Sequence, residues 1–267
     1  MAPHDQHGAD VRFEWGCNGL DALLAGGART VVVVDVLRFT TAVDVACGRG
    51  AAVTPWPLDD QGATEEAMRR GAIVASSAQP GGDTSEPSLS PVSLRNLTAA
   101  HHLLLRSPNG AAVACRAAAA GVTVLAACLR NASAVADAVT DFPCAVVAAG
   151  ERWPDGSLRP AVEDAWAAGA VIAALSPPAL TDATSGLFAL FGEALPTETT
   201  SGPPRTLSPE AAWAASAVPD DIASLLADTA SGRVLRQAGW SLDIEVAAAR
   251  DVSQAVPRLD RQATFRA

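Results

Sequence analysis

The chain has 267 residues, 49% of them hydrophobic, with a mean hydropathy of +0.19 and a formal net charge of −10. That length can bury a sizeable core in one large domain or two small ones, while the acidity argues against a nucleic-acid partner, whose phosphates demand basic patches. Lysine and tyrosine are absent, which excludes a Walker phosphate loop, Schiff-base chemistry and pyridoxal phosphate.

In chain order, the polar start "MAPHDQHGADVRFEW" is unlike a secretory leader, and residues 1–12 are expected to be a disordered lead-in. No apolar run is long enough to cross a bilayer, so no membrane association is expected and the cytoplasm is the default compartment. The first predicted strand is "TVVVVDV", which runs through "LRFTT" into a helix "AVDVACGRG". "AAVTPWP" reads as a strand, "DDQGATEEAMRRG" as a helix and "AIVASS" as a further strand. Ala78–Pro91 is rich in Gly, Pro and Ser and reads as a long loop.

The same grammar then recurs. "HHLLL" leads through "RSPNG" into "AAVACRAAAAG", where Gly121 suits a helix C-terminus. "VTVLAA" leads through "CLRN" into "ASAVADAV", with Asn131 or Ser133 as the N-cap. "CAVVAAG" leads through the turn "ERWPDGSLRP" into the helix "AVEDAWAAGAVIAAL". Leu195–Glu210 is linker-like, and two helical patterns follow it, with Pro209 and Pro219 suited to first-turn positions. Continuous apolar strands alternating with helices predict an α/β fold: a three-layer α/β/α arrangement with a mostly parallel or mixed sheet, a helical C-terminal region, and one domain over residues 1–267.

Five widely spaced cysteines form no CxxC pair, and four of them sit in apolar surroundings that predict buried thiols. Only four histidines occur, which argues against a polyhistidine metal site.

Ligands of open α/β sheets collect beyond the carboxyl ends of the strands. Four turns are expected there: Asp35, Arg38, Thr40 and Thr41; Ser107, Asn109 and Gly110; Arg130, Asn131 and Ser133; Glu151 and Arg152. Glu163 and Asp164 open the following helix. Hard oxygen ligands suit Mg²⁺ shared with a substrate phosphate, so Asp35, Glu163 and Asp164 are the candidate metal ligands and Arg38 the candidate phosphate clamp. The bland alternative is that Asp35 caps a helix and Arg38 pairs with it.

"VVVVDVLRFTTAV", "PNGA", "LRNASAVA", "VEDAWAAGAV" and "SGRVLRQAG" together resemble, in order and rough spacing, the 2-phosphosulpholactate phosphatase family from about Val31 to Leu259. The resemblance implies an α/β fold and Mg²⁺-dependent hydrolysis of a phosphate monoester, 2-phosphosulpholactate giving 3-sulpholactate and phosphate. It implies catalytic roles for Asp35, Arg38, Glu163 and Asp164, and substrate contacts at Thr40, Thr41, Asn109, Gly110, Asn131 and Ser133. Gly150, Gly169, Ser231, Gly232, Asp243 and Asp251 also match. The chain departs from the family pattern where "GNSP" has become "SLSP" (Ser88–Pro91), where "GERGG" has become "AQPGG" (Ala78–Gly82) and where "TTNGT" has become "SPNGA" (Ser107–Ala111).

Cys-x5-Arg follows none of the cysteines, and a DxDx[TV] nucleophile motif fails because position 37 is leucine. Attack by a metal-bound water or by Asp35 itself is left open. The partner expected is a small anionic phosphorylated molecule, and a two-fold homodimer is compatible with the sequence. The alternatives are a phosphatase for a different phosphorylated small hydroxy acid and a non-catalytic anion-binding homologue.

Overall fold

A computed structural model describes residues 3–58, 61–76, 86–176 and 205–267. Its first half runs β1 (Val11–Trp15), α1 (Gly16–Ala25), β2 (Thr30–Val34), α2 (Phe39–Gly48), β3 (Ala52–Pro57), α3 (Ala63–Arg70), β4 (Ile73–Val74), β5 (His102–Ser107), α4 (Gly110–Ala119) and β6 (Thr123–Ala127). Next come α5 (Ala132–Asp137), β7 (Cys144–Ala148), β8 (Glu151–Arg152), β9 (Leu158–Arg159) and α6 (Val162–Leu175). The C-terminal part holds α7 (Pro209–Ser216), α8 (Ile222–Leu226), α9 (Ala230–Gln237), α10 (Ser241–Ala248), β10 (Arg258–Leu259) and β11 (Phe265–Arg266).

The valine run explains the layering. Thr30–Val34 are all buried because side chains alternate across a sheet that is covered on both faces. Val31 and Val33 pack with Leu20 and Leu23 of α1, Phe39 and Val43 of α2, and Ala114 of α4. Val32 and Val34 face the opposite layer, with Val135 of α5, Ala168 and Ile172 of α6, and Ala211 of α7. The result is a three-layer α/β fold around a mixed sheet of nine strands, ordered β1-β7-β2-β6-β10-β11-β3-β5-β4. Strands β1, β7, β2 and β6 are mutually parallel, as are β3, β5 and β4. The hairpin β10–β11 joins the two blocks, pairing antiparallel with β6 on one side and β3 on the other.

Several expectations need correction. The lead-in is folded from residue 3: Pro3–Asp5 form a 3₁₀ turn, and the buried Arg12 donates to the carbonyls of Asp5, Ala9 and Gly26. Those three acceptors satisfy a guanidinium that burial would otherwise penalise. Of Leu195–Glu210, residues 195–204 lie outside the described residues; Thr206 hydrogen-bonds to Asp10, and Ser208 caps α7 with Pro209 at its first position. Within Ala78–Pro91, residues 78–85 also lie outside them. "AIVASS" contributes only a two-residue strand, and the expected turn "ERWPDGSLRP" contains the hairpin β8–β9. Pro219 precedes α8, whose cap is Asp221. Three cysteines, not four, are buried: Cys47, Cys128 and Cys144. Among the described residues, no helix is long and apolar enough to cross a membrane.

Alanine and glycine let α6 approach α7 closely. A Cβ placed on Gly169 would lie 2.1 Å from the carbonyl oxygen of Ala214, a backbone atom that can move only with its helix. Gly169→Ala should therefore destabilise the protein by about 2–3 kcal/mol in urea unfolding. An unchanged midpoint would show that the two helices are not in this contact.

Candidate active site

Asp35 directly follows β2, where the last buried valine ends and the chain turns into α2. Its Oδ1 accepts from Phe39 N at 3.1 Å, so it does cap the helix. Its Oδ2 accepts from Gly110 N at 2.8 Å, at the start of α4, and from Ser107 Oγ at 3.4 Å, at the end of β5. That approach requires glycine, since a Cβ on Gly110 would meet Phe39 Cδ1 at 2.5 Å and Asp35 Oδ2 at 2.6 Å.

Thr40 and Thr41 are used locally. The Thr40 hydroxyl accepts from Asp35 N and donates to Asp35 O, while Thr41 Oγ1 donates to Val36 O at 2.7 Å. Together they fasten the end of the strand to the first turn of the helix.

Asp164, in the first turn of α6, reaches the same place from the other side. Its Oδ1 accepts from Val36 N at 2.8 Å and its Oδ2 from Gly150 N at 2.9 Å. The turns after β2, β5 and β7 and the start of α6 thus converge on two buried carboxylates. Glu163, 2% exposed, makes no side-chain hydrogen bond or ion pair among the described residues. The geometry leaves the charge of this cluster poorly compensated. Burial raises Asp35 to about 6 against the stabilising pull of the Phe39 and Gly110 N–H groups, and Glu151 pushes it further up. Burial, then Asp35 and Glu163, hold Asp164 well above the usual carboxylate range. Glu151 is raised by burial and by Glu163, with Arg159 and the Arg152 N–H pulling the other way.

Arg38 pairs not with Asp35 but with Asp243 of α10, Nη1 to Oδ2 at 2.7 Å, and its guanidinium lies 5.0 Å from the Trp240 ring centroid. Asp243 is itself held by Ser90 Oγ at 2.5 Å. A buried acceptor, a second hydrogen bond and an aromatic face fix the guanidinium by one edge. Arg159 adds a second cation near Glu151, its Nη2 donating to Ser231 Oγ at 3.2 Å. Asn109 accepts from Arg152 Nε at 3.3 Å, which ties the β8–β9 hairpin to the start of α4.

The turn after β6 does not join this group. Asn131 is fully buried and serves the backbone: its Oδ1 accepts from Cys128 N, and its amide donates to Ala126 O and Ala255 O. Ser133 N donates to Asp251 Oδ1, and Arg130 pairs with Asp44. These residues tie the C-terminal segment down instead of lining the carboxylate cluster. Sequence reasoning missed Ser90, Arg159 and Trp240, and no local pattern links them to Arg38.

The expected metal set is only partly assembled. Among the described residues no three Asp, Glu, His or Cys side chains form a group that could hold a metal, and Asp35 and Asp164 spend an oxygen on each of two backbone N–H groups. Mg²⁺, however, is commonly held by one or two carboxylates plus waters and substrate phosphate. Glu163 and Glu151, beside a cluster short of positive charge, fit that kind of site.

The sequence model of the 2-phosphosulpholactate phosphatase family matches residues 23–262. No curated protein matches the chain.

A raised carboxyl pKa means that the folded state holds its proton more tightly than the unfolded chain. The contribution of Asp35 to stability is thus complete below the unfolded value of 3.8 and is lost as pH rises through about 6. In metal-free protein, the Asp35 carboxyl carbon should titrate near 6 by NMR, and Glu151→Gln should move that midpoint down. A midpoint below about 4 would contradict the burial argument.

Proposed function

The chain belongs to the 2-phosphosulpholactate phosphatase family, whose members are phosphoric monoester hydrolases, and from that premise we propose that it hydrolyses 2-phosphosulpholactate to 3-sulpholactate and phosphate with Mg²⁺. The observation that carries the reading is the fixed Arg38 guanidinium, three residues along the chain from Asp35, one of a buried pair of carboxylates. Monoester hydrolysis asks the protein mainly to neutralise a dianion and to position a nucleophile. Arg38 spends Nη1 on Asp243, and its remaining N–H groups suit phosphoryl oxygens. The Asn109 side-chain amide would donate to the same group.

Glu163 and Glu151, backed by Asp35 and Asp164, would hold Mg²⁺, which supplies charge neutralisation at the transferring phosphoryl group. Asp35 is a poor nucleophile in this setting: it is 6% exposed, and both its oxygens accept backbone hydrogen bonds. A carboxylate raised to about 6 is instead matched to taking a proton from an attacking water near neutral pH. Arg159, near Glu151, supplies positive charge for a second acidic group on the substrate, which suits a phosphate ester that also bears a sulphonate.

Phosphate release from 2-phosphosulpholactate should require Mg²⁺ and fall by about 10²–10³-fold in Arg38→Ala. Arg38→Lys should restore little of it, because a point charge cannot replace a planar fork. Asp35→Asn should abolish release; full activity in that variant would remove Asp35 from the mechanism. Turnover confined to other phosphorylated hydroxy acids in a parallel panel would overturn the substrate while leaving the reaction class intact.

A further inference from the structure

A cavity of about 540 Å³ lies among α2, the turn that follows Pro91–Leu94, α10 and the segment leading to β10. Asp35, Arg38, Asp164 and Gly110 are not among its walls. Its size is that of a small-molecule site. Three arginines line it, Arg49, Arg95 and Arg130, in a chain whose net charge is −10.

Arg130 is committed. Its Nε donates to Asp44 Oδ2 at 2.7 Å and its Nη1 to Val246 O at 3.1 Å. Asp44 is committed as well, since Ser253 donates to its Oδ1 at 2.6 Å. That buried ion pair closes the inner wall and cancels its own charge. Arg49 and Arg95 are different: both are exposed, and among the described residues their guanidinium groups make no hydrogen bond or ion pair. Ala267 also lines the cavity. Val45, Val246 and Val252 supply apolar wall, and Val252 is 60% exposed.

We propose that this cavity is a second binding site, separate from the phosphate site, for a small organic anion. Arg49 and Arg95 take its doubly charged head, and the valines cover a short apolar body. Two unpaired guanidinium forks match a phosphonate, phosphate or carboxylate head, and apolar wall rewards a ligand that carries carbon.

Phenylphosphonate is a suitable probe because its C–P bond is not a phosphatase substrate. Calorimetry with metal-free full-length protein should show it binding, and inorganic phosphate, which lacks the apolar body, binding at least several-fold more weakly. The double variant Arg49→Glu/Arg95→Glu should lose at least tenfold in phenylphosphonate affinity, and so should Val252→Asp, which puts a negative charge in the wall. Arg38→Ala should keep the binding. Absence of binding to the wild type, retention in both cavity variants, or loss in Arg38→Ala would each overturn the proposal. Equal affinity for inorganic phosphate would overturn the role of the valines. The readout needs no turnover, so its failure is distinct from failure of the phosphatase reading.

Discussion

Two carboxylates buried against backbone N–H groups are the constraint on which the rest of the site depends. Asp35 accepts from Phe39 and Gly110, and Asp164 accepts from Val36 and Gly150. Between them, four N–H groups from three βα turns are satisfied where the strands end and no ladder partner remains. The turns converge because each has an otherwise unpaired donor that a carboxylate can take. The close approach of Gly110 and the threonine clasp at Thr40 and Thr41 follow from the same geometry.

This arrangement has an electrostatic cost. Removing two like charges from water and placing them side by side raises both pKa values, and further acidic groups at Glu151 and Glu163 add to the strain. A purely structural device would relieve it with an arginine among the carboxylates. Here the nearest arginine in sequence, Arg38, is held away by Asp243, Ser90 and Trp240. The acidic cluster and its neighbouring cation are thus held by separate sets of partners.

The fold was largely legible because the sheet is buried on both faces: four valines in a row can only be a covered strand, and the helix after each apolar run followed from its alanine pattern. The strands β1, β10 and β11 were not legible. "VRFEW" carries charges that the structure satisfies mostly from outside the strand, through the Asp5, Ala9 and Gly26 carbonyls that accept from Arg12 and the Gln6 amide that donates to Glu14. The hairpin β10–β11 consists of two-residue strands, too short for any period to show. At the site, the residues of contiguous turns were readable, whereas the partner of Arg38 lies 205 positions away. Asn131 lies apart from the carboxylate cluster for a related reason: a buried asparagine that serves three backbone groups looks, in sequence, like one that serves a ligand.

The places where the chain departs from its family pattern take on physical meaning in the fold. In "SLSP" the retained Ser90 is the residue that holds Asp243 and, through it, Arg38, while of the two altered positions Leu89 packs against the hydrophobic core and the Ser88 hydroxyl accepts from Ser90 N. In "SPNGA" the retained Gly110 is the one position where any side chain would collide with Asp35 and Phe39. Ser107, in place of threonine, still presents a hydroxyl to Asp35 Oδ2, and Ala111, also in place of threonine, is fully buried. In these two turns the kept Ser90 and Gly110 are the residues that touch Asp243 and Asp35, while of the changed ones Leu89 and Ala111 join the core packing, Ser107 keeps a hydroxyl and the Pro108 carbonyl accepts from Arg152 Nη2. The departures described by the structure therefore leave the hydrogen bonds to Asp35 and Asp243 in place.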